Sequence, residues 1–102
     1  MAIQIDVPYD ALAAFCRRWH ITELAFFGSV LRDDFRPDSD VDVLVTFAPD
    51  AVVGWDFVTV RDELSQLLGR KVDLLTRMGV EYTAHPRLRN AILSTAETVY
   101  AA

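Results

Sequence analysis

Phe27-Gly28-Ser29-Val30-Leu31-Arg32-Asp33-Asp34-Phe35-Arg36-Pro37-Asp38-Ser39-Asp40-Val41-Asp42-Val43-Leu44-Val45 is the stretch whose reading decides the rest. The apolar run Leu24 to Phe27 stops at Gly28, the pattern of a buried strand entering a tight turn. Val41 to Phe47 is rich in β-branched residues and reads as a second strand, closed by Pro49-Asp50. Asp40 and Asp42 stand at its start. Side chains two apart on a strand share a face, so both carboxylates project together where the turn opens. Like charges so close raise a pKa or cost stability. A divalent cation is the usual remedy, with Mg²⁺ favouring a few carboxylates plus substrate phosphate oxygens.

Outward from this stretch, Pro8 suits a first helical turn and Leu12, Phe15, Cys16 and Trp19 follow at helical spacing, predicting a helix that ends near His20. Asp56 opens a second helix whose expected buried stripe is Phe57, Val58, Val60, Leu64, Leu67 and Leu68, with Gly69 as its stop. Lys71 to Thr76 predicts a third strand. Arg87 to Thr95, after Pro86, predicts a last helix with Leu88, Ala91 and Ile92 inward, and Thr98 to Tyr100 reads equally as helix or short edge strand. The expected fold is α/β: a small mixed sheet of three or four strands with helices packed chiefly on one side. No repeat or Gly/Ser linker interrupts the 102 residues, which predicts a single domain over 1–102.

Asp73 lies inside the apolar third strand, where a charge has no structural purpose unless something pairs with it. It is the candidate third ligand. Metal ions held by Asp40, Asp42 and Asp73 would serve an in-line displacement at phosphorus, with Asp73 on the side of the attacking oxygen. Gly28 lets backbone approach a phosphate, Ser29 offers a hydroxyl and an N–H to the same oxygens, and Arg32, one turn on, can hold a triphosphate. Three crowded carboxylates also predict that Asp40→Asn relieves repulsion and raises the thermal midpoint of the metal-free protein.

Composition narrows the classes. Hydrophobic residues are 52% of the chain, enough for a folded core, while a formal net charge of -5 disfavours broad attachment to nucleic acid. Cys16 is the only cysteine, so neither an internal disulfide nor a cysteine-based zinc site is available, and it reads as a core residue. Asp6, Pro8 and Asp10 precede any long apolar run, so neither a signal peptide nor a membrane anchor is expected, and the predicted location is cytoplasmic. His20 and His85 lack a second histidine at metal-ligand spacing and are read as structural or surface residues. Trp19 fits a helix core, and Trp55 fits a cap or a partner-facing position. Asp38, Asp40 and Asp42 match the first alternate positions of an EF-hand loop, but Val43 stands where its glycine belongs and Pro49 where its glutamate belongs.

The Gly28-Ser29 turn, Arg32 after it, Ser39 before the Asp40-x-Asp42 strand and the lone Asp73 on a later strand together resemble the nucleotidyltransferase superfamily that includes DNA polymerase beta. The match is closest to its minimal prokaryotic members, and it spans about Leu24 to Leu75. Many relatives carry a small residue and a glycine around the arginine, where this chain has Leu31 and Asp33. The resemblance implies a nucleotidyltransferase that moves a nucleoside monophosphate, AMP from ATP foremost, with Asp40, Asp42 and Asp73 as catalytic and metal ligands and Gly28, Ser29, Arg32 and Ser39 as nucleotide-binding residues. It implies two Mg²⁺ ions, for which Mn²⁺ can substitute. It also implies a HEPN-domain protein as partner, toxin to this antitoxin, with a tyrosine of that toxin as acceptor in a hetero-oligomer. Two other readings are a non-catalytic antitoxin that masks its partner, and a small-molecule adenylyltransferase, which would need an extra domain to hold its substrate.

Overall fold

The computed structural model describes residues 3, 5–32, 35–36, 38–51 and 56–102. Along the chain run α1 (Tyr9–Arg18), β1 (Ile21–Phe27), a 3-10 turn (Gly28–Leu31), β2 (Val41–Phe47), α2 (Asp56–Leu68), β3 (Val72–Thr76), α3 (Arg77–Glu81), α4 (Pro86–Thr95) and β4 (Glu97–Ala101). The strands form one mixed sheet in the order β3-β2-β1-β4. β1 is antiparallel to β2 and β4, whereas β2 and β3 are parallel, joined through α2.

Strand alternation divides the core. Leu24 and Phe26 of β1, Val41, Val43 and Val45 of β2, and Val72 and Leu74 of β3 pack with Leu12, Phe15 and Cys16 of α1 and Val60 and Leu64 of α2. Residues one position out of phase, Ala25, Phe27 and Leu44, face the opposite way and meet Val80 of α3 and Ile92 of α4. The expectation of helices on one side therefore holds for α1 and α2 and is corrected for α3 and α4, which cover the second face. That face needs cover because β1 is apolar at every position from Leu24 to Phe27, the pattern of a strand buried on both sides.

Other differences follow from local chemistry. β1 begins at Ile21, earlier than the apolar run alone suggests, and β4 resolves the ambiguous C-terminal segment as an edge strand. Val58 is 51% exposed, since the buried positions of α2, Val60 and Leu64, are one turn apart and leave 58 on another face. On α4 only Ile92 is buried; Leu88 is 53% exposed and Ala91 is exposed. The short α3 carries Gly79 inside it and shows no helical stripe in sequence. Its start is fixed by Thr76, whose side chain accepts a hydrogen bond from the Gly79 N–H at 3.0 Å. Gly69 ends α2 with φ of +68°, as its place after the last apolar residue predicts. Trp55, Asp33 and Asp34 lie outside the described residues. No helix among the described residues is long and apolar enough to cross a membrane.

Cys16 is fully buried, and burial pushes its thiol up to about 12, consistent with a core residue. Two bonds register the start of β3: the Val41 N–H donates to the Lys71 carbonyl at 2.9 Å, and the Val72 N–H donates to the Ser65 hydroxyl oxygen at 3.1 Å. Ser65 thus ties α2 to the strand that carries Asp73. Ser65→Ala leaves that amide unpartnered and is expected to cost about 1 kcal/mol, read as a lower urea midpoint with an unchanged m-value.

Candidate functional site

The site lies at the end of the sheet where β1 finishes and β2 and β3 begin. Phe27 is paired with Asp42 across the antiparallel ladder, and Asp42 with Asp73 across the parallel one. Residues opposite each other share a face, so Asp42 and Asp73 project together on the face covered by α3 and α4. Neighbouring strands are about 4.8 Å apart, which sets the backbone spacing of the two carboxylates. Asp40, two residues before Asp42, stands exposed just outside β2, and Asp73 is exposed on the edge strand.

Asp42 is the half-buried member. Burial pushes its carboxyl above the usual 3.8, and the charges of Asp73 and Asp40 push it further; the backbone N–H of Ser29, which it accepts as a hydrogen bond, and the Arg32 guanidinium pull the other way. Gly28 explains how the turn comes so close. Its φ is +74°, and a Cβ there would stand 2.2 Å from Asp42 Oδ2. A side chain at 28 would displace the carboxylate as well as strain the backbone. The glycine read from sequence as a phosphate approach thus first makes room for Asp42, and Ser29 directs its N–H at the same group.

Arg32 follows the 3-10 turn, its N–H bonded to the Ser29 carbonyl at 2.9 Å, and with Gly28, Leu31 and Thr95 it lines a cavity of about 150 Å³. Thr95 was not visible in the sequence as a site residue. Nothing in a threonine at the last turn of an amphipathic helix signals that the helix end returns to the glycine turn. Ser39 has a shape-forming part: its hydroxyl oxygen accepts from the Arg36 N–H at 3.1 Å and its own N–H donates to the Arg36 carbonyl at 3.0 Å, closing the loop that delivers Asp40. Asp38 is exposed.

Among the described residues, no three carboxylate, imidazole or thiol side chains converge as a ready-made metal cage. The aspartates are brought into one neighbourhood, close enough for Asp40 and Asp73 both to act on Asp42, but are not drawn onto a single point. Asp40 and Asp73 are exposed to water. An all-carboxylate donor set, of which two members are exposed, fits a hard cation that binds through a few carboxylates and keeps other positions for water or phosphate oxygens.

Half-buried Asp42 feels the charges of both Asp73 and Asp40, so the repulsion within the set is read most directly at this side chain. A carboxyl whose pKa is raised on folding contributes stability that is present below its ordinary value and lost as pH rises through the raised one. Asp42→Asn should therefore raise the thermal midpoint of the metal-free protein at pH 7, with the gain shrinking as pH falls toward 4. Thermal unfolding in chelator across that range checks the sign; a variant less stable at pH 7 would contradict it.

The chain matches the model of the nucleotidyltransferase domain family over residues 10–97. It is 34% identical to a Methanocaldococcus jannaschii protein provisionally named a protein adenylyltransferase, over 78% of this chain and 80% of that one. A solved structure provisionally described as a minimal nucleotidyltransferase superposes with a TM-score of 0.66 at 34% identity, covering 86% of this chain and 85% of the other. A complex of a tri-AMPylated Shewanella oneidensis HEPN toxin with an MNT antitoxin matches with a TM-score of 0.62 over 92% of this chain and 70% of that one; at 18% identity the likeness is one of fold.

Proposed function

This chain belongs to the nucleotidyltransferase family, and we propose that it transfers AMP from magnesium-bound ATP to a tyrosine hydroxyl of a HEPN-domain toxin, acting as that toxin's antitoxin. The observation that carries the reading is the pairing of Asp42 with Asp73, with Asp40 alongside, against the Gly28-Ser29 turn. Relatives named for protein adenylylation and the fold likeness to an antitoxin bound to an AMPylated HEPN toxin support the acceptor class. Residues 1–102 would act as one domain, in the cytoplasm, with the acceptor supplied by the partner.

In the proposed reaction the tyrosine oxygen forms a bond to the α-phosphorus of ATP as the bond from that phosphorus to the bridging oxygen breaks, and pyrophosphate leaves. The hydroxyl proton passes to Asp73, the exposed carboxylate on the open edge of the sheet, and from there to water. Ser29 and Arg32 orient the triphosphate, one by hydrogen bonding and the other by charge. Gly28 keeps the backbone low enough for phosphate and Asp42 to lie side by side. Family members use divalent metals; two Mg²⁺ ions, or Mn²⁺, held by Asp40, Asp42 and Asp73 would neutralise charge on the phosphates.

Asp42→Asn should reduce transfer of label from [α-³²P]ATP to the purified HEPN partner by at least about a thousandfold, and Ser29→Ala by about tenfold, one hydrogen bond being worth about 1.4 kcal/mol in rate. ATP binding followed by calorimetry should fall away in excess chelator. Undiminished transfer by Asp42→Asn would remove the enzymatic reading, and protection of cells from the toxin by that variant would favour masking in its place.

A further inference from the structure

An apolar groove of about 460 Å³ lies on the aspartate-bearing face, walled by Phe57 of α2, Leu75 and Thr76 of β3, Val80 of α3 and Leu88 and Ile92 of α4. It reaches the strand that carries Asp73. Leu75 is two residues beyond Asp73 on β3, so it shares that face and sits roughly 7 Å further along. The groove lies on the Asp73 side of the carboxylates, at the edge of the sheet, away from the Gly28-Ser29 turn.

Its surroundings are unusually apolar for a surface. Among the described residues, the exposed large hydrophobics other than Tyr9 are Val58, Met78, Tyr82 and Leu88, and all belong to α2, α3, the turn after α3, or α4. Met78 is 71% and Tyr82 84% exposed, far more than a core requires. The charge beside the groove runs against that of the whole chain. In a protein of net charge -5, α4 carries Arg87 and Arg89 and no acidic residue, and neither arginine has a salt-bridge partner among the described residues. Glu81 of α3 is held by Arg77, which also binds Glu23 at 2.9 Å. Exposed Leu88, one turn before buried Ile92, offers an apolar position of the kind against which a second helix packs.

We infer that this groove docks an amphipathic helix of the acceptor protein, apolar on the face it presents and flanked by acidic residues that meet Arg87 and Arg89, and that docking brings the acceptor hydroxyl to Asp73. The inference rests on the transfer reading above and adds where the acceptor is gripped. The triphosphate and the acceptor then approach the carboxylates from opposite sides, as an in-line displacement demands.

Leu88→Glu and the double variant Arg87→Glu/Arg89→Glu test it with the purified HEPN partner as acceptor. Leu88 and Arg87 are exposed and Arg89 is half-buried, all three lie outside the nucleotide-handling residues, and the variants' thermal midpoints report whether the fold is kept. The expected result is a rise of about tenfold or more in KM for the acceptor with KM for ATP unchanged. Independently of transfer, benzoylphenylalanine placed at position 82 should crosslink on illumination to a partner peptide of helical apolar spacing with Asp or Glu at its flanks. Unmodified protein that transfers no label to the partner, while the protein carrying benzoylphenylalanine at position 82 still crosslinks to it, would sink the transfer reading and leave the docking site standing. Equal acceptor KM in variants and unmodified protein, a rise in KM for ATP instead, crosslinking only to a second copy of this chain, or no crosslink would each overturn the groove assignment.

Discussion

The parallel register of β2 and β3 is the constraint from which the functional end of this molecule follows. It sets Asp42 beside Asp73, an arrangement that is unfavourable by itself: two like charges 4 Å apart repel by roughly 1 kcal/mol in water and about 4 kcal/mol near a protein surface. The register is held by the other face of the same strands. Val41, Val43, Val45, Val72 and Leu74 are buried there against α1 and α2, and each buried aliphatic side chain contributes about 1.5 to 3 kcal/mol. A slip of one residue would send these side chains to the wrong face and the aspartates into the core. The apolar pattern therefore fixes the carboxylates where their own chemistry would not put them.

The glycine turn is subordinate to that placement. Gly28 is required by the position of Asp42 Oδ2, against which any Cβ would collide, and the Ser29 N–H then offsets part of the burial of the same carboxylate. Arg32 adds a positive charge from the far side of the turn. The local electrostatics are thus a balance centred on one side chain, with burial and two neighbouring acids on one side and an amide and a guanidinium on the other. A bound cation would act on an arrangement in which burial and the two acids outweigh the amide and the guanidinium.

Much of this was legible in the sequence because strand alternation is a strict code. The spacing of Asp40 and Asp42, the isolation of Asp73 in an apolar strand and the stop at Gly28 each determine a direction or a conformation, and β2 runs from Val41 to Phe47 as read. What could not be read depends on packing between distant segments. α3 is a single turn and a half around a glycine, too short for periodicity to register. The second helical layer follows from Ala25, Phe27 and Leu44 being apolar as well as their neighbours, a sign of a buried strand that does not say which helices cover its second face. Val58 and Leu88 look like core in a list of apolar positions, and only the geometry shows them at the surface. Ser39 carries a serine's usual ambiguity, since a hydroxyl that closes a turn and one that meets a phosphate look alike in sequence.

The α4 helix connects these features. From Leu88 to Thr95 it rises roughly 10 Å, with Leu88 at the apolar groove and Thr95 at the small cavity beside Gly28. It therefore runs from the apolar groove to the Gly28 turn on the face of the sheet that carries Asp42 and Asp73, and the edge strand leaves Asp73 open to water. Water at that opening would compete with an acceptor hydroxyl for the phosphorus and would weaken every electrostatic contact in the site. A partner helix seated against Leu88 would close the opening with apolar surface while carrying its own hydroxyl to the centre, so exclusion of water and selection of the acceptor would come from one contact. The exposed apolar side chains around the groove, unfavourable in the free chain, are then the surface by which the site is completed.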